Sequence, residues 1–164
     1  MAQNRPGADA ISLKFPSLPD YLGVARLTVS AVAHRLGFSY NEIEDIKLAV
    51  GEACSNAVKH AYQRDERAGV IFLDCYVYPN RLVIVVSDEG RGMESESAAD
   101  QLAPIYAGKD IEELEEGGLG LYLIHALMDE VQIRSESGVS VSMTKYVLRD
   151  GVAGDDRTVS EEEV

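Results

Sequence analysis

With 164 residues, 46% of them hydrophobic and 26% charged, the chain suits one domain built on a single core and leaves little length for a second. A formal net charge of -13, from 15 basic against 28 acidic side chains, argues against nonspecific binding to nucleic acid or anionic membranes and directs attention to protein partners. No apolar run approaches the roughly 20 residues of a membrane-spanning helix, and the polar start Met1 to Ala10 lacks the apolar stretch of a secretory signal, so the expected location is the cytoplasm.

In chain order, Ile11, Leu13 and Phe15 alternate with Ser12 and Lys14 ahead of Pro16 and Pro19, the pattern of a short opening strand. From Asp20, apolar residues at Leu22, Val24, Ala25, Val29, Val32, Ala33 and Leu36 recur at helical spacing up to Gly37, which is placed to cap the helix. Ser39 and Glu42 form a capping box ahead of a second helix, on which Ile43, Ile46, Val50, Ala53, Ala57 and Ala61 mark one buried face. Cys54 and Cys75 lack the Cys-x-x-Cys spacing of a zinc or redox site and are expected as reduced thiols in the core.

Val70 to Tyr78 and Arg81 to Ser87, rich in β-branched and aromatic residues and joined by Pro79-Asn80, read as an antiparallel hairpin. A long acidic stretch with few apolar residues follows, and residues 93–116 are expected to form a lid. Gly117-Gly118-Leu119-Gly120 opens a third helix through about Met128, and Val131 to Ser135 with Val139 to Leu148 closes the domain as a hairpin turned at Ser137-Gly138. The sequence therefore predicts one domain over residues 1–150 and a disordered acidic tail over 151–164. Its class is an α/β two-layer sandwich, with helices on one face of a mixed, largely antiparallel sheet.

Three short motifs carry chemistry. Glu52 and Asn56 stand four apart on the second helix and so share a face. Asn56 offers a neutral oxygen suited to Mg²⁺ and Glu52 a base for a hydroxyl, although such a pair is also an ordinary polar helix face. Asp88-Glu89-Gly90-Arg91-Gly92 sets a carboxylate at a strand end, able to accept from the exocyclic amine of adenine or simply to cap a turn. Gly117-Gly118-Leu119-Gly120 at a helix entry favours an anion such as a triphosphate. It lacks the Lys-Ser or Lys-Thr of a Walker loop and the βαβ context of a dinucleotide fold.

The ordered set of Glu-x-x-x-Asn on a helix, Asp-x-Gly-x-Gly after a strand, a long lid and Gly-Gly-Leu-Gly entering a helix resembles the GHKL ATPase superfamily with its Bergerat fold, from Ile11 to Leu148. The wording of Glu44 to Tyr62, Tyr21 to Leu27, Glu116 to Leu123 and Met128 to Val131 is similar to the RsbW-type anti-sigma-factor kinases within it. The resemblance implies Glu52 as catalytic base, Asn56 as Mg²⁺ ligand and Asp88 as adenine reader. It further implies Gly90, Gly92, Gly118, Leu119 and Gly120 around the nucleotide, with Thr144 as an adenine-side hydroxyl.

It also implies a homodimer that uses ATP and Mg²⁺ to phosphorylate a serine on a STAS-domain anti-anti-sigma protein, or else sequesters a sigma-B-type sigma factor, with Arg26 on the partner face. The alternative is a non-catalytic, nucleotide-gated sigma antagonist. One departure from the family pattern is Gly51, where Ser or another small residue is expected. A glycine inside a helix costs about 1 kcal/mol relative to alanine and suggests close packing.

Overall fold

The computed structural model describes residues 6–62, 69–88, 116–135 and 138–148. Strand β1 (Asp9–Pro16) ends at the expected proline, and the following Ser17 N–H donates to the Gly69 carbonyl at 2.8 Å. A 3-10 turn at Pro19–Tyr21 leads into α1 (Leu22–Leu36), which buries Ala25, Val29, Val32 and Ala33. Gly37, at φ 86°, takes the left-handed conformation that glycine adopts without Cβ strain. The Phe38 N–H then reaches back to the Ala33 carbonyl at 3.3 Å, a Schellman-type closure sealed by the buried Phe38 ring.

The capping box forms as expected at the start of α2 (Tyr40–Tyr62). The Ser39 N–H donates to Glu42 Oε2 at 2.7 Å and the Glu42 N–H to Ser39 Oγ at 3.3 Å, satisfying two donors that a helix start leaves unpaired. Ile43, Ile46, Val50, Ala53 and Ala57 are buried as expected, and the side chain of Ala61 lies outside the described residues. Ala49, Cys54 and Val58 are buried too, because α2 packs on α1 and the third helix as well as on the sheet.

Strands β2 (Val70–Val77), β3 (Arg81–Asp88), β4 (Glu130–Ser135) and β5 (Val139–Tyr146) complete a five-stranded sheet of order β1-β2-β3-β5-β4. Where the sequence allowed a mixed sheet, each of the four described pairings is antiparallel. Helix α3 (Glu116–Leu127) precedes β4. Leu13, Leu73, Val86, Val141 and Ile133 form one cross-strand row, and Ile11, Cys75, Ile84, Met143 and Val131 the next. Apart from the more exposed Ile11, these residues pack with the helices in a single core. The opposite face carries Tyr76, Val83 and Thr144 in another row.

Both cysteines lie in that core. Burial pushes each thiol up to about 12, with Arg26 opposing the shift at Cys54 and Asp74 adding to it at Cys75. Among the described residues no helix is long and apolar enough to cross a membrane.

Candidate active site

The four-residue spacing of Glu52 and Asn56 brings both half-buried side chains to one side of α2, and α3 crosses that side. The point of contact is Gly120. A Cβ on this buried glycine would stand 2.9 Å from Glu52 Oε2, 3.5 Å from Asn56 Nδ2 and 3.6 Å from Asn56 Oδ1. The backbone of α3 therefore comes against the heads of both residues, and a side chain at Gly120 would fill the space that they use. Gly118 is half-buried two residues nearer the helix start, while Leu119, 40% exposed, turns toward solvent.

Asp88 closes β3 in the row Phe15–Ile71–Asp88. Strand alternation puts it with Leu82, Ile84 and Val86 on the face that carries the helices, the same side as Glu52 and Asn56. Its Oδ1 accepts the Val139 N–H at 3.1 Å, which joins the end of β3 to the start of β5. This backbone donor carries no side-chain signature that a sequence reading could have found.

The structure does not bring Thr144 to this site. Val139, Val141 and Met143 point into the core, so Thr144 faces the other way, in the row with Val83 and Tyr76. Its carbonyl is used instead, accepting the Asp129 N–H at 2.9 Å. The expectation of an adenine-side hydroxyl at Thr144 is corrected on that ground. Gly90, Gly92, the lid at 93–116 save its last residue, and the tail at 151–164 lie outside the described residues.

Arg26 explains the departure at Gly51. Its guanidinium lies over α2 so closely that a Cβ on Gly51 would stand 2.7 Å from Arg26 Nε and 3.0 Å from Nη2. Glycine is the residue that lets an arginine from α1 rest on α2 one position before Glu52.

Chemically, the arrangement joins a carboxylate able to take a proton, an amide oxygen suited to a hard cation, and the glycine-rich entry of a helix whose amide groups favour phosphate. The histidine kinase-like ATPase domain family matches residues 15–145. The serine-protein kinase RsbW of Bacillus licheniformis is 46% identical over 145 residues, covering 88% of this chain and 90% of that protein. That of Bacillus subtilis is 47% identical, covering 85% of this chain and 87% of that protein. In structure, the RsbU and RsbW domains of a Mycobacterium tuberculosis protein superpose with a TM-score of 0.60 at 18% identity, over 86% of this chain and 33% of that one, a likeness of fold. The chain belongs to the RsbW family of serine-protein kinases, within the histidine kinase-like ATPases.

Proposed function

We propose that this chain binds ATP with Mg²⁺ and phosphorylates a serine on a STAS-domain anti-anti-sigma protein, and that in its other complex it sequesters a sigma-B-type sigma factor. It acts in the cytoplasm as a homodimer. The observation that supports the reading is the approach of Gly120 to Glu52 and Asn56, which sets a carboxylate, an amide and a glycine-rich helix entry close together.

In this reading Glu52 accepts the proton of the substrate serine as its oxygen forms a bond to the γ-phosphorus, while the bond to the β-phosphate oxygen breaks and ADP leaves. Asn56 Oδ1 would ligate Mg²⁺, and the bound ion would neutralise charge on the phosphates. Asp88 accepts from the exocyclic amine of adenine while holding the Val139 N–H. Gly118 and Gly120 keep the entry of α3 clear for the phosphates, with Gly90 and Gly92 completing the nucleotide loop.

The partner face is the start of α1, where Val24, Arg26 and Leu27 are exposed, with the exposed Tyr21 just ahead of the helix. Phosphorylation adds roughly two negative charges to the partner's serine, and against a chain of net charge -13 this favours release.

Intact-mass measurement of a STAS-domain protein incubated with this chain and ATP-Mg tests the reading, with Glu52→Gln as control. One phosphoryl group on a serine, absent with the variant, is expected. No transfer despite ATP binding and complex formation would leave a nucleotide-gated antagonist in its place.

A further inference from the structure

We propose that Lys145 is a positioning residue for the nucleotide site, holding the far end of α3 and thereby setting where Gly120 meets Glu52. The proposal rests on the reading of α3 as the helix whose entry meets the phosphates. Lys145 reaches from β5 with a side chain only 12% exposed. Its Nζ donates to the carbonyl oxygen of Leu127, the last residue of α3, at 2.7 Å, and stands 3.7 Å from Asp45 Oδ2 on α2. The last carbonyls of a helix have no partner within it and form the negative end of its dipole, so an ammonium there meets both needs.

The neighbours of Lys145 secure the same corner. The Thr144 carbonyl accepts the Asp129 N–H at 2.9 Å, and the Tyr146 N–H donates to Asp129 Oδ2 at 2.7 Å. Three successive residues of β5 thus clasp the exit of α3, and Lys145 is the one that grips the helix itself while also reaching α2.

At its other end α3 presents Gly120 to Glu52. A helix transmits axial displacement along its length, and Gly120 lies seven residues, about 10 Å, from Leu127. Lys145 is therefore remote from the reacting atoms and acts through α3. Removing the ammonium leaves the Leu127 carbonyl without this donor and releases α3 to shift along α2, which displaces the phosphate-binding turn and the neighbour that confines Glu52.

The test uses the full chain and Lys145→Met, which keeps an apolar stem, with Lys145→Arg as the conservative variant. ADP affinity is measured by calorimetry in Mg²⁺, and backbone hydrogen exchange of Gly120 to Tyr122 is followed without nucleotide. Lys145→Met is expected to weaken ADP binding about tenfold, the scale of one hydrogen bond to a charged group. It should also speed exchange at the entry of α3 and leave α1 unchanged, and Lys145→Arg should restore both readouts.

A parent chain that does not bind ADP would overturn the nucleotide-site reading itself. A parent that binds, beside a folded Lys145→Met with the same affinity and the same exchange at Gly120 to Tyr122, would overturn the positioning role even if the melting temperature fell. Should Lys145→Met not fold, Lys145→Gln, shorter and uncharged, is measured in the same way and unchanged affinity has the same meaning.

Discussion

Gly120 of α3 and Glu52 of α2 lie so close that one methyl group on the glycine would stand 2.9 Å from the glutamate Oε2. The atom in the way is the end of a flexible side chain, so the fold can absorb the change by moving the carboxylate. Alanine also gains up to about 1 kcal/mol of helix propensity over glycine. Gly120→Ala is therefore expected to leave the melting temperature within a few degrees of the parent. Phosphotransfer should fall by about ten- to a hundredfold, because a displacement on the order of 1 Å at a reacting group has that effect. Thermal melts with single-turnover phosphotransfer check the split, and a variant that is both stable and fully active would sink the assignment of Gly120 as the seat of Glu52.

At Gly51 the added methyl would meet Arg26, at 2.7 Å from Nε. Arg26 is exposed and its guanidinium can swing away. Gly51→Ala is expected to raise stability by less than about 1 kcal/mol, the helix-propensity gain reduced by lost packing. On the proposed reading of α1 as the partner face, it should weaken partner binding as it displaces Arg26. Urea unfolding gives the first quantity and titration with a STAS-domain partner the second, and a loss of stability would show that Arg26 is held too firmly to move.

The capping box allows a local test of α2, the helix that carries Glu52 and Asn56. Ser39→Ala removes the acceptor of the Glu42 N–H and is expected to cost about 1 kcal/mol. The loss should appear as a lower urea midpoint with an unchanged slope, since the native fold is kept.

Much of the fold was legible because its signals are local. Gly37, the Ser39 and Glu42 pair, and the Pro79-Asn80 turn, where the Tyr78 N–H donates to the Arg81 carbonyl at 3.0 Å, each depend on neighbours within a few residues. The placement of Glu52 beside Asn56 follows from helical spacing alone. Thr144 was misplaced because strand faces alternate with period two, so the residue after a core Met143 faces the other way. Lys145 gave no sign at all. A lysine near a strand end reads as solvated, and its partner is a backbone carbonyl 18 residues earlier that only the folded chain brings near. Gly51 was recognisable as a close approach, but the approaching Arg26 comes from another helix and spacing could not identify it.

The buried thiols predict how stability depends on alkaline pH. Cys54 and Cys75 are pushed up from 9.0 to about 12, chiefly by burial, while in the unfolded chain they ionise near their ordinary value. Below pH 9 both states hold the thiol protons and stability is unaffected by them. Between pH 9 and about 12 the unfolded chain gives up protons that the folded chain keeps, so unfolding becomes easier as pH rises, by about 1.4 kcal/mol per pH unit for each thiol. Urea midpoints should hold steady up to pH 9 and then fall. Cys75→Ala, less stable at neutral pH because of the space it leaves, should show a shallower fall, since one of the two titrating thiols is gone. A slope in that window identical for parent and variant would mean that the Cys75 thiol ionises equally in both states, and its burial would then not govern its proton.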